Sequence, residues 1–216
     1  MVDLKPEFLI SDEVGLRKVF KTPNPDSLSQ KKCIDHLDKH SREFIARAPF
    51  LCMGTQAADG LADVTPRGDP EGFVKVLDAH TLVIPERPGN NRIDSLINIV
   101  GNPNVGLIFL VPGFDETLRV NGTAQVTTDP EVLALMEVQD RLPRAAIVVS
   151  VVEVFLHCAK AFRRSKLWAS SSLQDRSEMP SLSKMVLDQS TGAPEDPEEM
   201  AKLDAYLEAR YRETMY

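Results

Sequence analysis

The sequence predicts a mainly β domain with peripheral helices, an α+β chain organised round a small antiparallel β-barrel. Three observations carry this. Between Phe50 and about Cys158, six or so segments rich in apolar and β-branched residues follow one another in hairpin order. Short helical inserts lie between some of them, which fits a barrel better than a parallel sheet. The chain also lacks both GxGxxG and GxxxxGK[ST], the loops on which parallel nucleotide-binding folds rely.

The elements follow in order. Residues 1–48 are polar and helical in pattern, with Ser11 placed to cap "SDEVGLRKVF". The stretch "SLSQKKCIDHLDKHSREFIARA" brings Leu28, Ile34, Leu37, Phe44 and Ile45 near helical spacing, so this segment is expected to cover the barrel. "FLCMGTQAADGLADVTP" reads as a hairpin turning at Asp59-Gly60, because these residues accept the positive φ of tight turns. "GFVKVLDAHTLVIP" repeats the form with its turn at Asp78 to His80. "NVGLIFLVP" is almost continuously apolar, which predicts a central strand buried on both faces. "ETLRVNGTAQVTT" alternates, and its Asn121-Gly122 marks either a hairpin turn or a bulge in one bent strand. "AAIVVSVVEVFLHC" is the longest β-branched run.

Two inserts read as helices. "NRIDSLINIVGNP" puts Ile93, Leu96, Ile97 and Val100 on one face and stops at Gly101, Asn102 and Pro103. "DPEVLALMEVQDRL" begins with a capping Asp129 and Pro130 in the first turn. Beyond the barrel come the basic "AKAFRRSKLWASSS", the acidic linker "TGAPEDPEE" and an amphipathic helix carrying Met200, Leu203, Leu207 and Tyr211. The resulting division is 1–48, 49–168 and 169–216.

Charge and composition narrow the function. With 216 residues and a net charge of -7, the chain lacks the basic balance that phosphate-neutralising nucleic-acid binding requires. "MVDLKPEFLI" has no signal-peptide pattern and no apolar run is long enough to span a bilayer, so a cytoplasmic location without nucleic-acid or membrane partners is expected. Cys33, Cys52 and Cys158, an odd number without CxxC spacing, read as buried thiols. His36 and His40 stand four apart without a third ligand pattern and read as a solvated helix face, so no metal is assigned.

One stretch carries chemistry. In "VIPERPGNNRIDSL" a strand runs into a helix start, where free N–H groups and the helix dipole suit an anion. Asn90 or Asn91 is placed to cap that helix. Arg92 in its first turn has the wrong sign for the dipole, at a cost of a few tenths of a kcal/mol or more without an anion beside it. Arg92 therefore reaches solvent, pairs with Asp94, Asp129 or Glu131, or serves an anion. In "DVTPRGDPEGFVKV", Arg67 at a strand end beside Gly68 can present a bidentate fork to a phosphate, and the extended backbone can bond a flat heteroaromatic ring.

The run from "VTPRGDPEGF" through "PGNNR" to "RVNGTAQV" resembles the core of the pyridoxamine 5'-phosphate oxidase-like family of FMN-binding split barrels. Within it the chain is most similar to a bacterial subgroup with the "PGNNR" turn and the "HCAKA" segment, and the resemblance covers about residues 30–168. It implies a six-stranded antiparallel split β-barrel and a homodimer with FMN in a groove between subunits. The first contact strand maps to Val64, Thr65, Pro66, Arg67, Gly68 and Asp69, and the paired strand to Ile84 and Pro85. The family's arginine-lysine phosphate clamp falls on Asn91 and Arg92, with Asn90 beside them, so one cation is replaced. The position of a ring-contacting glutamine falls on Thr117. Lys160, Arg164 and Trp168 follow the last barrel strand, where the family places residues near the partner's flavin or the substrate; the alternative is surface pairing and a dimer anchor.

What the resemblance implies for function is an FMN-dependent oxidoreductase acting on a small molecule. The chain ends "EARYRETMY" and lacks the substrate motif and terminus of true pyridoxamine-phosphate oxidases. Two alternatives are a reductase using a deazaflavin such as F420, served by Lys160, Arg163 and Arg164, and a non-catalytic flavin-binding or storage dimer.

Overall fold

The computed structural model describes residues 3–216. They fall into two compact units, one up to Ile34 and one from Asp35 to Tyr216. The first holds a 3-10 turn at Pro6–Phe8 and the short helices α1 (Glu13–Val19) and α2 (Leu28–Lys31). Asp12, not Ser11, caps α1, accepting from the Gly15 N–H at 2.7 Å. The second predicted helix is not continuous. It stops at Lys31, and its continuation is a separate helix, α3 (Lys39–Arg47), because Asp38 caps a new start by accepting from both the Ser41 N–H and its hydroxyl. Leu37, Phe44 and Ile45 enter the core, whereas Leu28 is exposed.

The second unit is built on seven antiparallel strands: β1 (Phe50–Gln56), β2 (Ala62–Gly68), β3 (Lys75–Val76), β4 (Thr81–Glu86), β5 (Asn104–Leu110), β6 (Thr117–Thr127) and β7 (Ala145–His157). Their order in the sheet is β2-β1-β5-β6-β7-β4-β3. The seventh strand beyond the predicted six is the two-residue β3. Between and after the strands lie α4 (Asp94–Gly101), α5 (Pro130–Ala134), α6 (Lys160–Ser165), α7 (Leu182–Asp188) and α8 (Pro197–Glu213). Asp129 and Pro130 start α5 as the sequence predicts. No helix among the described residues is long and apolar enough to cross a membrane.

Both turns form where expected. Gly60 takes φ 90° and the Ala57 N–H closes onto the Leu61 carbonyl at 2.8 Å; Asp78 accepts from the His80 N–H at 2.7 Å. Leu51, Met53, Leu107, Phe109, Leu118, Val120 and Ile147 fill the interior with no exposed surface. β5 is central, yet only one of its faces is buried: Val105, Leu107 and Phe109 point inward while Ile108 is exposed. Its apolar run records a second face that in this chain is open, not a strand buried twice.

α4 also departs from its predicted orientation. It packs on β1, β2 and β6, but the residues it buries are Ser95, Asn98 and Ile99. Asn98 donates to the Thr55 hydroxyl at 3.0 Å, so the helix docks through a polar contact and leaves Ile93, Ile97 and Val100 outside. The cysteines correct another expectation, since Cys33 and Cys158 are exposed and Cys52 is half-buried.

Closure of the sheet depends on bending. The Asn121-Gly122 signal resolves as a bulge inside one strand: β6 pairs β7 throughout, and the register shifts between Asn121 and Gly122, leaving Val152 as the extra residue. A Cβ on Gly122 would lie 2.1 Å from the Ser150 carbonyl oxygen, so only glycine allows this approach. The bend brings together strands that the sheet order separates. Arg67 on β2 pairs with Glu86 on β4, although four strands stand between them.

Gly122→Ala should therefore destabilise the domain by about 3 kcal/mol or more, measured by urea unfolding; a change below about 1 kcal/mol would show that the bulge relaxes freely. Asp38 offers a second check. Burial pushes its carboxyl up, but the Ser41 N–H and hydroxyl more than offset this, and the net pKa lies below the ordinary carboxylate range. Its cap therefore stabilises above that range and weakens as pH falls through the depressed value. Asp38→Ala should cost about 1 kcal/mol at pH 7, with a difference from wild type that shrinks below about pH 4.

Candidate functional site

The ends of β2 and β4 and the first turn of α4 enclose a polar cleft of about 500 Å³. β2 is an edge strand paired only with β1, so its outer side presents backbone N–H and C=O groups that no strand takes. Pro66, which has no N–H to give, is tolerated there for the same reason. Val64, Thr65, Pro66, Arg67, Gly68 and Asp69 all line the cleft, opposite Pro85, Asn90 and Arg92. The cleft thus brings together the two stretches picked out from the sequence.

Arg67 is the best-defined member. Its guanidinium pairs with Glu86 and donates to the Ser95 hydroxyl at 2.7 Å, with the side chain only 13% exposed. Its Nε is buried and has no hydrogen-bond partner among the described residues. A buried charged donor left unpaired is costly, about 1 to 3 kcal/mol, and with under 1 Å² of accessible surface this atom gains an acceptor only when the residues over it shift. Arg92 takes the sequence's second option, bonding Asp94 at 2.8 Å, but the pair is largely exposed. An exposed pair is worth about 0 to 1 kcal/mol, so Arg92 exchanges partners readily.

The start of α4 differs from the predicted cap. Asn90 accepts from the Arg92 N–H at 3.0 Å within the preceding turn, and Asn91 accepts from Arg144 at 3.2 Å. The cap position itself is Ile93, in the left-handed region at φ 52° and without a side-chain cap. The helix start therefore has no internal acceptor over it, because the asparagines are spent on the turn.

Several predicted residues stand apart from the cleft in this chain. Ile84 is fully buried, and Thr117 is buried where β6 begins, opposite His157. Lys160 and Arg164 lie exposed on α6. Trp168 donates to the Phe114 carbonyl at 2.7 Å and stacks on Phe162. Sequence reasoning missed Glu86, Arg87 and Ser95, all in the cleft wall. Glu86 and Arg87 were readable as charges closing a strand, "IPERPG", and Ser95 as a small polar residue in the helix's first turn. Arg87 donates to Asp69 at 2.7 Å and to the Met136 carbonyl at 2.8 Å, and the Tyr216 hydroxyl donates to the other Asp69 oxygen at 2.7 Å. Nothing in the sequence linked Tyr216 to a residue so distant in the chain. Among the described residues no group of three or more acidic, histidine or cysteine side chains is arranged to hold a metal ion.

The family profile described as pyridoxamine 5'-phosphate oxidase matches residues 37–158, more than half of the chain. Solved structures with similarity include HupZ of Group A Streptococcus, at 19% identity over 55% of this chain and 92% of that one, with a TM-score of 0.45. A candidate pyridoxamine 5'-phosphate oxidase of Lactobacillus delbrueckii shares 24% identity over 56% and 95% of the two chains, with a TM-score of 0.44. An FMN-binding protein of Syntrophomonas wolfei shares 10% over 54% and 88%, with a TM-score of 0.41. No curated protein sequence matches.

We predict a phosphate-sized anion in the cleft beside Arg67 and Arg92. Inorganic phosphate should raise the melting temperature of the wild-type chain and leave that of Arg67→Gln unchanged, read by calorimetry. Equal stabilisation of both would show that phosphate binds elsewhere.

Proposed function

We propose that this chain, which belongs to the pyridoxamine 5'-phosphate oxidase family, binds FMN in the cleft between β2 and the start of α4 and works as an oxidoreductase on a small molecule. The observation that carries the reading is Arg67: a largely buried arginine, bonded to a hydroxyl at a helix start, with one buried donor left over. A phosphate monoester suits that set, because Arg67, Arg92 and the uncapped first turn of α4 line the same cleft. The outer edge of β2 supplies the other half. Its backbone groups from Val64 to Pro66 suit the N–H and C=O edge of a flat heteroaromatic ring.

When bound, FMN supplies the redox chemistry at its isoalloxazine ring. The chain's part is to bind and orient. Arg67 and Arg92 would hold the phosphate, the free edge of β2 would bond the ring, and Pro85 and Phe73 supply apolar wall. Glu86 keeps the Arg67 guanidinium in place from its other side.

The proposal includes a homodimer. Support comes from the outer face of the sheet, where Pro66, Cys52, Ile108, Arg119 and Phe155 form one row across five strands by register. Val64, Phe50 and Ile108 on that face are exposed; Ile93, Ile97 and Val100 of the α4 region are exposed as well, on a helix that docks against the other side of β1 through Asn98 and Thr55. A patch of this kind on an ordinary soluble domain marks an association surface. A second copy covering it sets the open edge of β2 inside the assembly.

The test is direct. Purified protein titrated with FMN should quench flavin fluorescence, and the bound flavin should bleach on anaerobic addition of NADPH. Replacing Arg67 and Arg92 together by glutamine should weaken FMN on the order of 100-fold or more, with the far-ultraviolet circular dichroism retained. A double variant that binds FMN like wild type overturns the phosphate assignment. Bound FMN that no nicotinamide reduces favours a binding protein over an oxidoreductase.

A further inference from the structure

The Asp69 carboxylate in the cleft wall is deeply buried, with its side chain 3% exposed. One oxygen accepts from Arg87 and the other from the phenol of Tyr216, which lies beyond α8, 147 residues away in the chain. The Arg87 guanidinium also sits 5.4 Å from the centre of the Tyr216 ring, a cation-π contact. Arg141 donates to the Tyr216 backbone oxygen, which fixes the segment at a second point. The two carboxylate oxygens, the guanidinium face and the phenol are thus mutually satisfied. Asp69 and Arg87 themselves face the cleft, two residues from Arg67 and one from Glu86.

We infer that Tyr216 is a positioning residue of the flavin site: the segment after α8 fixes Asp69 and Arg87 in the cleft wall, so filling the cleft and docking this segment are thermodynamically coupled. The inference rests on the FMN reading given above. The coupling follows from placement, because Arg67 near the end of β2 and Asp69 just after it both line the cleft. Without the phenol, the second Asp69 oxygen loses its donor in a buried place, and the carboxylate and Arg87 rearrange. The end of β2 then shifts with them. Linkage is reciprocal: whatever docking contributes to ligand affinity, the ligand returns to docking. The phenol keeps its proton for this task. Its hydrogen bond to Asp69 and its burial push it above the ordinary tyrosine range, while Arg87 opposes them weakly. With Asp69, Arg87 and Arg141 as its charged neighbours, the contact is complete below that range and is lost as pH rises through the raised value.

The experiment uses trypsin, because Arg210 and Arg212 in the last turn of α8 are exposed. Saturating FMN should slow cleavage after these residues several-fold in the wild-type chain. Tyr216→Phe keeps the ring over Arg87 and removes only the hydroxyl; it should abolish the protection and weaken FMN about ten-fold, one charge-assisted hydrogen bond's worth. Tyr216→Ala should weaken it further. A wild-type chain that binds FMN but is cleaved at the same rate with and without it overturns the coupling and leaves the FMN site standing. Unchanged FMN affinity in Tyr216→Phe overturns it likewise. A wild-type chain that takes up no FMN overturns both readings together.

Discussion

The structure depends on how the barrel is closed at the seam between β2 and β4. These strands share no backbone ladder, so side chains join them, through two ion pairs of opposite polarity. Arg67 of β2 meets Glu86 of β4, and Asp69 after β2 meets Arg87 after β4. Each pair is mostly buried, which makes the seam asymmetric energetically. An intact buried pair contributes little net stability, but removing one partner leaves an uncompensated charge at a cost of about 3 to 5 kcal/mol. The seam is thus held by the penalty for opening it. A cleft lined with such pairs keeps its donors in fixed places, which a phosphate site needs more than it needs net positive charge.

Everything else serves that closure. A seven-strand sheet with its first and sixth strands in contact needs long central strands and a sharp bend, and β6 and β7 supply both, with 11 and 13 residues and one bulge. The bulge requires Gly122, because the Ser150 carbonyl lies where a side chain would begin. α4 is the cleft's third wall, and it docks through Asn98 onto Thr55, with Asp63 3.5 Å away. That polar docking turns Ser95 inward to Arg67 and the helix's apolar residues outward. One hydrogen-bonded asparagine thereby places a site residue and leaves an apolar stripe for a second copy under the homodimer proposal.

How far the sequence revealed this varies for identifiable reasons. Hairpins at Asp59-Gly60 and Asp78 to His80, the alternation of β6 and the cap of α5 were legible because each is decided within a few residues. Arg67 and Arg92 were legible because charge at a strand end or a helix start is locally anomalous. The orientation of α4 was not, since apolar periodicity says which residues share a face but not whether that face meets the core or another surface. The same ambiguity hid the open face of β5. Glu86, Arg87 and Tyr216 were missed because their roles come from partners 19, 18 and 147 residues away. Resemblance pointed to the "PGNNR" turn, yet the asparagines in it shape the loop and do not cap the helix.

The turn also bears on how, under the FMN proposal, the cleft would take an anion in an acidic chain. Asn91 and Ile93 both adopt positive φ, and for the β-branched Ile93 this is a sparsely populated conformation costing about 1 to 3 kcal/mol. The backbone accepts that strain within the seven residues, 87–93, that connect β4 to α4. Its effect is to bring the uncapped helix start over the Arg67 guanidinium, which Ser95 then touches. Arg67, Arg87 and Arg92 stand against Asp63, Glu86, Asp69 and Asp94 around the cleft, so the local charge is not positive. Under the FMN proposal, affinity for the phosphate would therefore come from directed donors, namely the helix start and an exchangeable Arg92 beside Arg67. Donors of that kind work at short range and lose little to the chain's overall charge of -7. The same short range makes the site sensitive to sub-ångström shifts at the end of β2, where Asp69 is held by Arg87 on one side and by Tyr216 on the other.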